Sequence, residues 1–216
     1  ALHAGAGMVR YAGRATDAVR CRWPEAVVNE GGPGQAGRVQ AWVVGPGLGT
    51  DEAARSELRT VLRSDVPVLV DADAITLLGQ EPELLAARTA PTVLTPHDRE
   101  FARIAGDVGT DRIAAARAAA GKLRATVLLK GNATVVASPD GRVFVNGAAT
   151  PWLATAGTGD VLSGCIGALL AAGLDPAAAA ATGAHLHGRA GILAAQEAPM
   201  TPVDVLQALP AAWRQP

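Results

Sequence analysis

Aromatic side chains are scarce: Phe, Trp and Tyr together make up 3% of the 216 residues. A β-sandwich built around large rings is disfavoured by that shortage, whereas abundant alanine and 25 glycines suit close layers of small side chains, helix on sheet. Cysteine is nearly absent. Cys21 and Cys165 form no CxxC pair and imply no disulfide framework, which points to a reducing cytoplasm. There is no basic run and the formal net charge is −1, so no nucleic-acid surface is expected. No apolar run reaches the roughly 20 residues of a membrane span. The longest candidate, Val161 to Leu174, is short and is interrupted by Ser163 and three glycines. The chain also opens without an initiator Met or a secretion signal. Ala1-Leu2-His3-Ala4-Gly5-Ala6-Gly7 reads like the end of a buried helix running into a strand, so an upstream segment is expected.

What is present is a folded α/β pattern, with hydrophobic residues at 49% and charged residues at 18%. Short apolar runs predict strands at Met8–Tyr11, Val39–Val44, Val66–Val70, Thr92–Leu94, Thr126–Leu129, Thr134–Ala137 and Val143–Val145, with a weaker one at Ala26–Val28. Several lack polar alternation, as strands covered on both faces do. Helical patterns occupy Asp51–Arg63, Glu81–Ala87, Asp98–Ala105 and Asp111–Leu123, then Gly159–Ala172, Pro176–Ala195 and Pro202–Trp213. Strand–helix alternation implies a mainly parallel sheet with helices on both faces. Turns at Gly131-Asn132 and Asp140-Gly141 suggest two hairpins on an antiparallel edge. No linker or repeat divides the chain, which reads as one domain over 1–216.

Ligands of open α/β sheets bind beyond the carboxyl ends of the strands, so the residues after each strand carry the chemistry. They are Gly45-Pro46-Gly47-Leu48-Gly49, Asp71-Ala72-Asp73, Thr95-Pro96-His97 and Lys130-Gly131. Thr155-Ala156-Gly157-Thr158-Gly159-Asp160 opens an apolar helix, where free N–H groups favour an anion. A carboxylate there can take a proton from a hydroxyl attacking a phosphoryl group. The plainer reading is a helix start with Thr158 as the cap and Asp160 favourable to the dipole. Gly45 to Gly49 lacks GxGxxG spacing and also reads as a tight turn. Asp71 and Asp73 suit either a metal or water near phosphates, or turn and cap chemistry. His97 and Glu100 share a helix start, where Glu100 is also placed as a capping-box residue. His185 and His187, two apart on a helix, do not share a face, and Cys165 reads as a small buried residue.

In order, Gly-Pro-Gly-Leu-Gly, Val-Asp-Ala-Asp-Ala, Leu-Thr-Pro-His with Glu-Phe-Ala-Arg, Leu-Lys-Gly and Gly-Thr-Gly-Asp-Val-Leu-Ser-Gly resemble the ADP/ATP-dependent NAD(P)H-hydrate dehydratases of the ribokinase-like superfamily. The resemblance runs from Ala1 to about Trp213. It implies a three-layer αβα sandwich with a mainly parallel central sheet and antiparallel edge strands. It implies Asp160 as base and Gly157, Thr158 and Gly159 as anion hole. Gly47, Gly49, His97 and Asp160 would bind the hydrated nicotinamide nucleotide, NADHX or NADPHX in its S epimer. Lys130, Gly131, Asn132, Ala133, Thr134 and Gly159 would contact ADP or ATP. Glu100 occupies the place of a metal-linked acid, implying Mg²⁺ held through water. A homo-oligomer, on the family's pattern a tetramer, and an epimerase domain or partner are also implied. Two departures stand out: Asp98-Arg99 replaces the family's Pro-Gly, and its N-terminal glycine-containing segment is not found. Two other activities share parts of this pattern, a vitamin-precursor kinase of the same superfamily and a non-catalytic nucleotide sensor. The Gly-Pro-Gly-Leu-Gly and Thr-Pro-His elements favour the dehydratase over the kinase, and Asp160 argues against the sensor.

Overall fold

The structure is a computed structural model that describes residues 1–196 and 198–214. Strands β1 (Arg10–Ala12) and β2 (Val27–Asn29) pair in parallel as a small sheet of their own, joined by helix α1 (Thr16–Arg22). The main sheet holds β3 (Trp42–Val44), β4 (Val68–Val70), β5 (Thr92–Leu94), β6 (Thr126–Leu129), β7 (Thr134–Ala137) and β8 (Val143–Asn146), side by side in that order. The first four run parallel; β7 and β8 are added antiparallel by the two expected hairpins. Helix α2 (Glu52–Leu62) links β3 to β4, and α3 (Ala72–Gln80) with α4 (Glu83–Ala86) links β4 to β5. Helices α5 (Asp98–Ala105) and α6 (Arg112–Leu123) precede β6, and α7 (Thr158–Ala171), α8 (Pro176–Ala195) and α9 (Pro202–Arg214) follow the sheet.

Side chains along a strand alternate between faces, and here both faces are covered. Val68, Val70, Leu94, Val127 and Leu129 pack with Leu58, Ile75 and Phe101 of α2, α3 and α5. Their neighbours Leu69, Val93, Leu128 and Val136 pack on the other face with Ile166, Leu170 and Leu209 of α7 and α9. That double burial explains why these strands are apolar throughout. Helix starts follow the local chemistry. Asp51, Asp111 and Asp175 accept hydrogen bonds from the first-turn amides of α2, α6 and α8.

The architecture is the expected three-layer arrangement, with corrections in its parts. The first two strands stand apart from the main sheet, and β1 begins at Arg10 instead of Met8. Strand β4 begins after Pro67, which has no N–H to donate but whose carbonyl still accepts from Trp42. Two helices were not expected. In α1 no residue is buried, so no apolar stripe announces it. In α3 the stripe exists, at Ala74, Ile75, Leu77 and Leu78, behind an Asp71 cap that reads equally as a turn.

Candidate active site at the carboxyl ends of the strands

The start of α7 is the centre of the site. Gly157, in the left-handed region at φ 91°, caps the helix without a side-chain bond. Thr158 is not the cap. Its hydroxyl is buried and donates back to the carbonyls of Leu153 and Thr155, at 2.6 and 2.8 Å, tying down the loop that leads into the helix. The amides of Thr158 and Asp160 bond to Thr155 O and Gly157 O, whereas the Gly159 amide has no backbone partner among the described residues. The helix end thus keeps an open donor at Gly159, where the positive end of the helix dipole lies. A β-carbon on Gly159 would lie 3.6 Å from Lys130 Nζ, so an ammonium stands beside that donor.

Lys130, at the end of β6, is held there by Asp71, at the end of β4. Nζ donates to Asp71 Oδ1 at 2.8 Å, and Ser163 Oγ, from the second turn of α7, donates to Asp71 Oδ2 at 2.6 Å. Asp71 and Ser163 are fully buried, and a buried carboxylate is tolerable only when bonded in this way. The backbone is shaped around it: Ala72 takes φ 49°, unfavourable for a residue with a β-carbon, and a β-carbon on Gly45 would strike Asp71 O at 1.7 Å. Partial burial, then the like charge of Asp71, raises the Asp160 pKa above the ordinary aspartate value, and the Lys130 charge opposes this. A raised pKa suits a proton acceptor, since it makes the carboxylate more basic.

Beneath Thr158 lies His187 of α8. Burial drives its pKa down to about 4, against a hydrogen bond that the ring donates to the Thr158 carbonyl and that favours the charged form, with Lys130 adding to the depression. Its Nε2 has no partner among the described residues.

In front of Asp160 opens a cleft of about 380 Å³. Its walls include Gly45 to Leu48, Arg10 to Arg14 of the small sheet, and Gly164 and Gly167 of α7. Gly47 therefore shares a cleft with Asp160, whereas the Gly49 amide is turned to Asp73 Oδ2 at 2.8 Å, fixing the turn.

His97 and Glu100 sit behind the Lys130 ammonium. Glu100 Oε2 lies 3.8 Å from Lys130 Nζ and accepts from the His97 amide at 2.9 Å. His97 Nδ1 accepts from the Arg99 and Glu100 amides, which completes a capping box on α5. His97 thus has only Nε2 to offer a ligand, and it is not among the residues lining the cleft. Gly131, Asn132 and Ala133 form the turn after β6, and Thr134 begins β7. Among the described residues no group of three or more His, Cys, Asp or Glu side chains is set to hold a metal. An ion carried on nucleotide phosphates needs only one or two carboxylates; Glu100 and Asp71 are the carboxylates set against the Lys130 ammonium, and both oxygens of Asp71 are already bonded. Cys165, buried with its thiol pKa pushed up to about 11, is a packing residue. No helix among the described residues is long and apolar enough to cross a membrane.

Asp160, Gly159, Lys130 and Glu100 are thus drawn together from the ends of β5 and β6 and the start of α7. Asp71's pairing, Ser163 and Arg112, which reaches the Lys130 carbonyl, were not singled out in the sequence, because their partners are distant in the chain. The family model for NAD(P)H-hydrate dehydratase matches residues 1–211. The chain belongs to that family. It is 59% identical over 182 residues to the bifunctional NAD(P)H-hydrate repair enzyme Nnr of Mycobacterium tuberculosis, a match covering 84% of this chain and 38% of that protein. It therefore spans well under half of that relative's length. Against the ADP-dependent (S)-NAD(P)H-hydrate dehydratase of Neisseria meningitidis it is 48% identical over 160 residues, covering 70% of this chain and 54% of the relative. The solved ADP/ATP-dependent NAD(P)H-hydrate dehydratase of Bacillus subtilis, co-crystallised with ATP/Mg²⁺, superposes with TM-score 0.85 at 28% identity, over 100% of this chain and 83% of that one. The ribokinase-like architecture expected of the dehydratase family is the one described above.

Proposed function

We propose that this dehydratase-family chain converts the S epimer of hydrated NADH or NADPH back to the reduced cofactor, consuming ADP or ATP. The observation that carries the reading is the placement of Asp160 at the helix start, with the open Gly159 amide and the Lys130 ammonium beside it and the cleft in front. On this reading Asp160 removes the proton from the ring hydroxyl as its oxygen attacks the terminal phosphorus. The bond from that phosphorus to the bridging oxygen breaks, and AMP or ADP leaves. The Gly159 amide and Lys130 face the charge gathering on the phosphoryl oxygens. The ring nitrogen's electron pair then expels phosphate, far better than hydroxide as a leaving group, and loss of a proton from the neighbouring ring carbon restores the dihydronicotinamide.

Gly47 lines the substrate side, with Gly49 setting the turn and His97 reaching the substrate through Nε2. Lys130, Gly131, Asn132, Ala133 and Thr134 take the adenine nucleotide. Glu100 would hold Mg²⁺ through water, and the ion would neutralise charge on the phosphates. The same reading takes 1–216 as one catalytic domain that works in a homo-oligomer and relies on an epimerase domain or partner for the R epimer.

Mixing the protein with NADHX, Mg²⁺ and either nucleotide tests this. Reduced-nicotinamide absorbance should rise, with one free phosphate per cofactor formed. A phosphorylated hydrate accumulating without reduced cofactor would make the protein a kinase instead, and no change with either nucleotide would sink the reading.

A further inference from the structure

Arg112 is the first residue of α6, where a cation opposes the helix dipole, and the one acid beside it in sequence, Asp111, is engaged as the helix cap through the Ala114 amide. Helix chemistry gives no reason for an arginine there. Its guanidinium instead spans two strand ends. Nη1 donates to both oxygens of Asp98, at 2.8 and 3.0 Å, and Nη2 donates to the Lys130 carbonyl at 2.8 Å. Asp98 is the first residue of α5, next to His97; Lys130 directly follows β6 and leads into the Gly131–Ala133 turn. The approach is close enough that a β-carbon on Gly131 would lie 2.6 Å from Nη2. The remaining guanidinium nitrogen, Nε, is buried and has no partner among the described residues.

We propose that Arg112, oriented by Asp98, is a positioning residue that sets the adenine-nucleotide turn at Lys130–Thr134. A hydrogen bond to the Lys130 carbonyl fixes the peptide plane between Lys130 and Gly131. It thereby fixes both the direction in which the turn leaves β6 and the root of the side chain whose ammonium stands at the helix start. A planar fork does this better than a flexible ammonium, because two of its nitrogens are held in fixed relation. The replacement of Pro-Gly by Asp98-Arg99 acquires a physical meaning here: a proline at 98 would offer the guanidinium no carboxylate. The inference rests on reading Lys130–Thr134 as the nucleotide site, and not on the reaction carried out there.

Calorimetric titration of the full chain with ADP and with ATP tests it without any turnover. Arg112→Gln should raise both Kd values about five- to tenfold, the loss of one charge-assisted hydrogen bond. Asp98→Asn, which leaves Arg112 in place but unoriented, should raise them about two- to threefold, and the double variant should bind no worse than Arg112→Gln alone, because the two residues act in one chain. Arg112→Lys should resemble Arg112→Gln more than the parent. The KM for NADHX should stay within about twofold in every variant. Unchanged nucleotide Kd values with a lowered melting temperature would overturn the proposal, as would nucleotide Kd and NADHX KM rising together. Should Arg112→Gln not fold, Asp98→Asn decides by the same readout. Nucleotide binding altered as described in a protein that never forms reduced cofactor would sink the dehydratase reading and leave this inference standing.

Discussion

Behind Asp160 the charges are tied to one another: Asp71 to Lys130 and Ser163, Glu100 to the His97 amide, Arg112 to Asp98. The wall across the cleft is of another kind. No residue of β1, β2 or α1 is fully buried, and the bidentate pair of Arg14 with Asp51 lies on the surface. That pair holds the Asp51 carboxyl far below the usual carboxylate range, yet an exposed pair adds little to stability. On the proposed reaction, charge preorganised behind the reacting atoms need not rearrange when phosphoryl charge develops. A loosely built wall can take a large ligand at little cost. The contrast places sensitivity to substitution behind Asp160 and tolerance in front of it.

The largest effect should come at Asp160 itself. Asp160→Asn should lower turnover about 10²–10⁴-fold while the Kd for ADP and ATP, measured by calorimetry, hardly changes. A variant keeping more than half the parent rate would end the contrast. The same substitution has a thermodynamic signature. A carboxyl whose pKa is raised in the folded state disfavours folding once ionised, so Asp160→Asn should raise the melting temperature at neutral pH. The gain should fade as the pH falls through the aspartate range. In the parent, the acid limb of kcat/KM should lie above an ordinary aspartate pKa.

Next in size is the support beneath the helix start. His187 titrates normally when unfolded but near pH 4 when folded, so its contribution to stability is complete above about pH 6.5 and is lost as the pH falls toward 4. The difference amounts to about 3 kcal/mol. Urea midpoints measured from pH 7 to 4 should fall less steeply for His187→Gln than for the parent; parallel curves would remove His187 from this role.

The smallest effect should be at His97. His97→Ala removes the cap of α5 and should cost about 1 kcal/mol of stability. If Nε2 also meets the substrate, the KM for NADHX should rise about fivefold while the nucleotide KM stays put. A lowered melting temperature with an unchanged NADHX KM leaves His97 a cap and nothing more.

Legibility followed chain distance. The place of Asp160 at a helix start could be read because the glycines that define that start are its immediate neighbours. The main-sheet strands could be read because burial on both faces leaves continuous apolar runs such as Thr126–Leu129. Asp71 reads equally as a group holding a metal or water and as a turn or cap residue, since its partners Lys130 and Ser163 lie 59 and 92 residues away and nothing local marks them. His97 is the converse case: the local motif suggests a ligand, and the fold adds a use for Nδ1, capping the helix that follows. Helix α1, with no buried face, left no periodic trace at all.

In the main sheet, spatial order is chain order from β3 to β8. No strand has to be threaded between two already in place, so the sheet can grow edge by edge as the polypeptide is synthesised. Sequence separations between paired strands stay modest, which favours rapid assembly over search. What cannot form early is the second cover layer: α7, α8 and α9 come last, and Leu69, Val93 and Leu128 stay exposed to water until they arrive. A ribosome-bound intermediate ending after β8 should therefore display one sticky face and be a preferred client of chaperones.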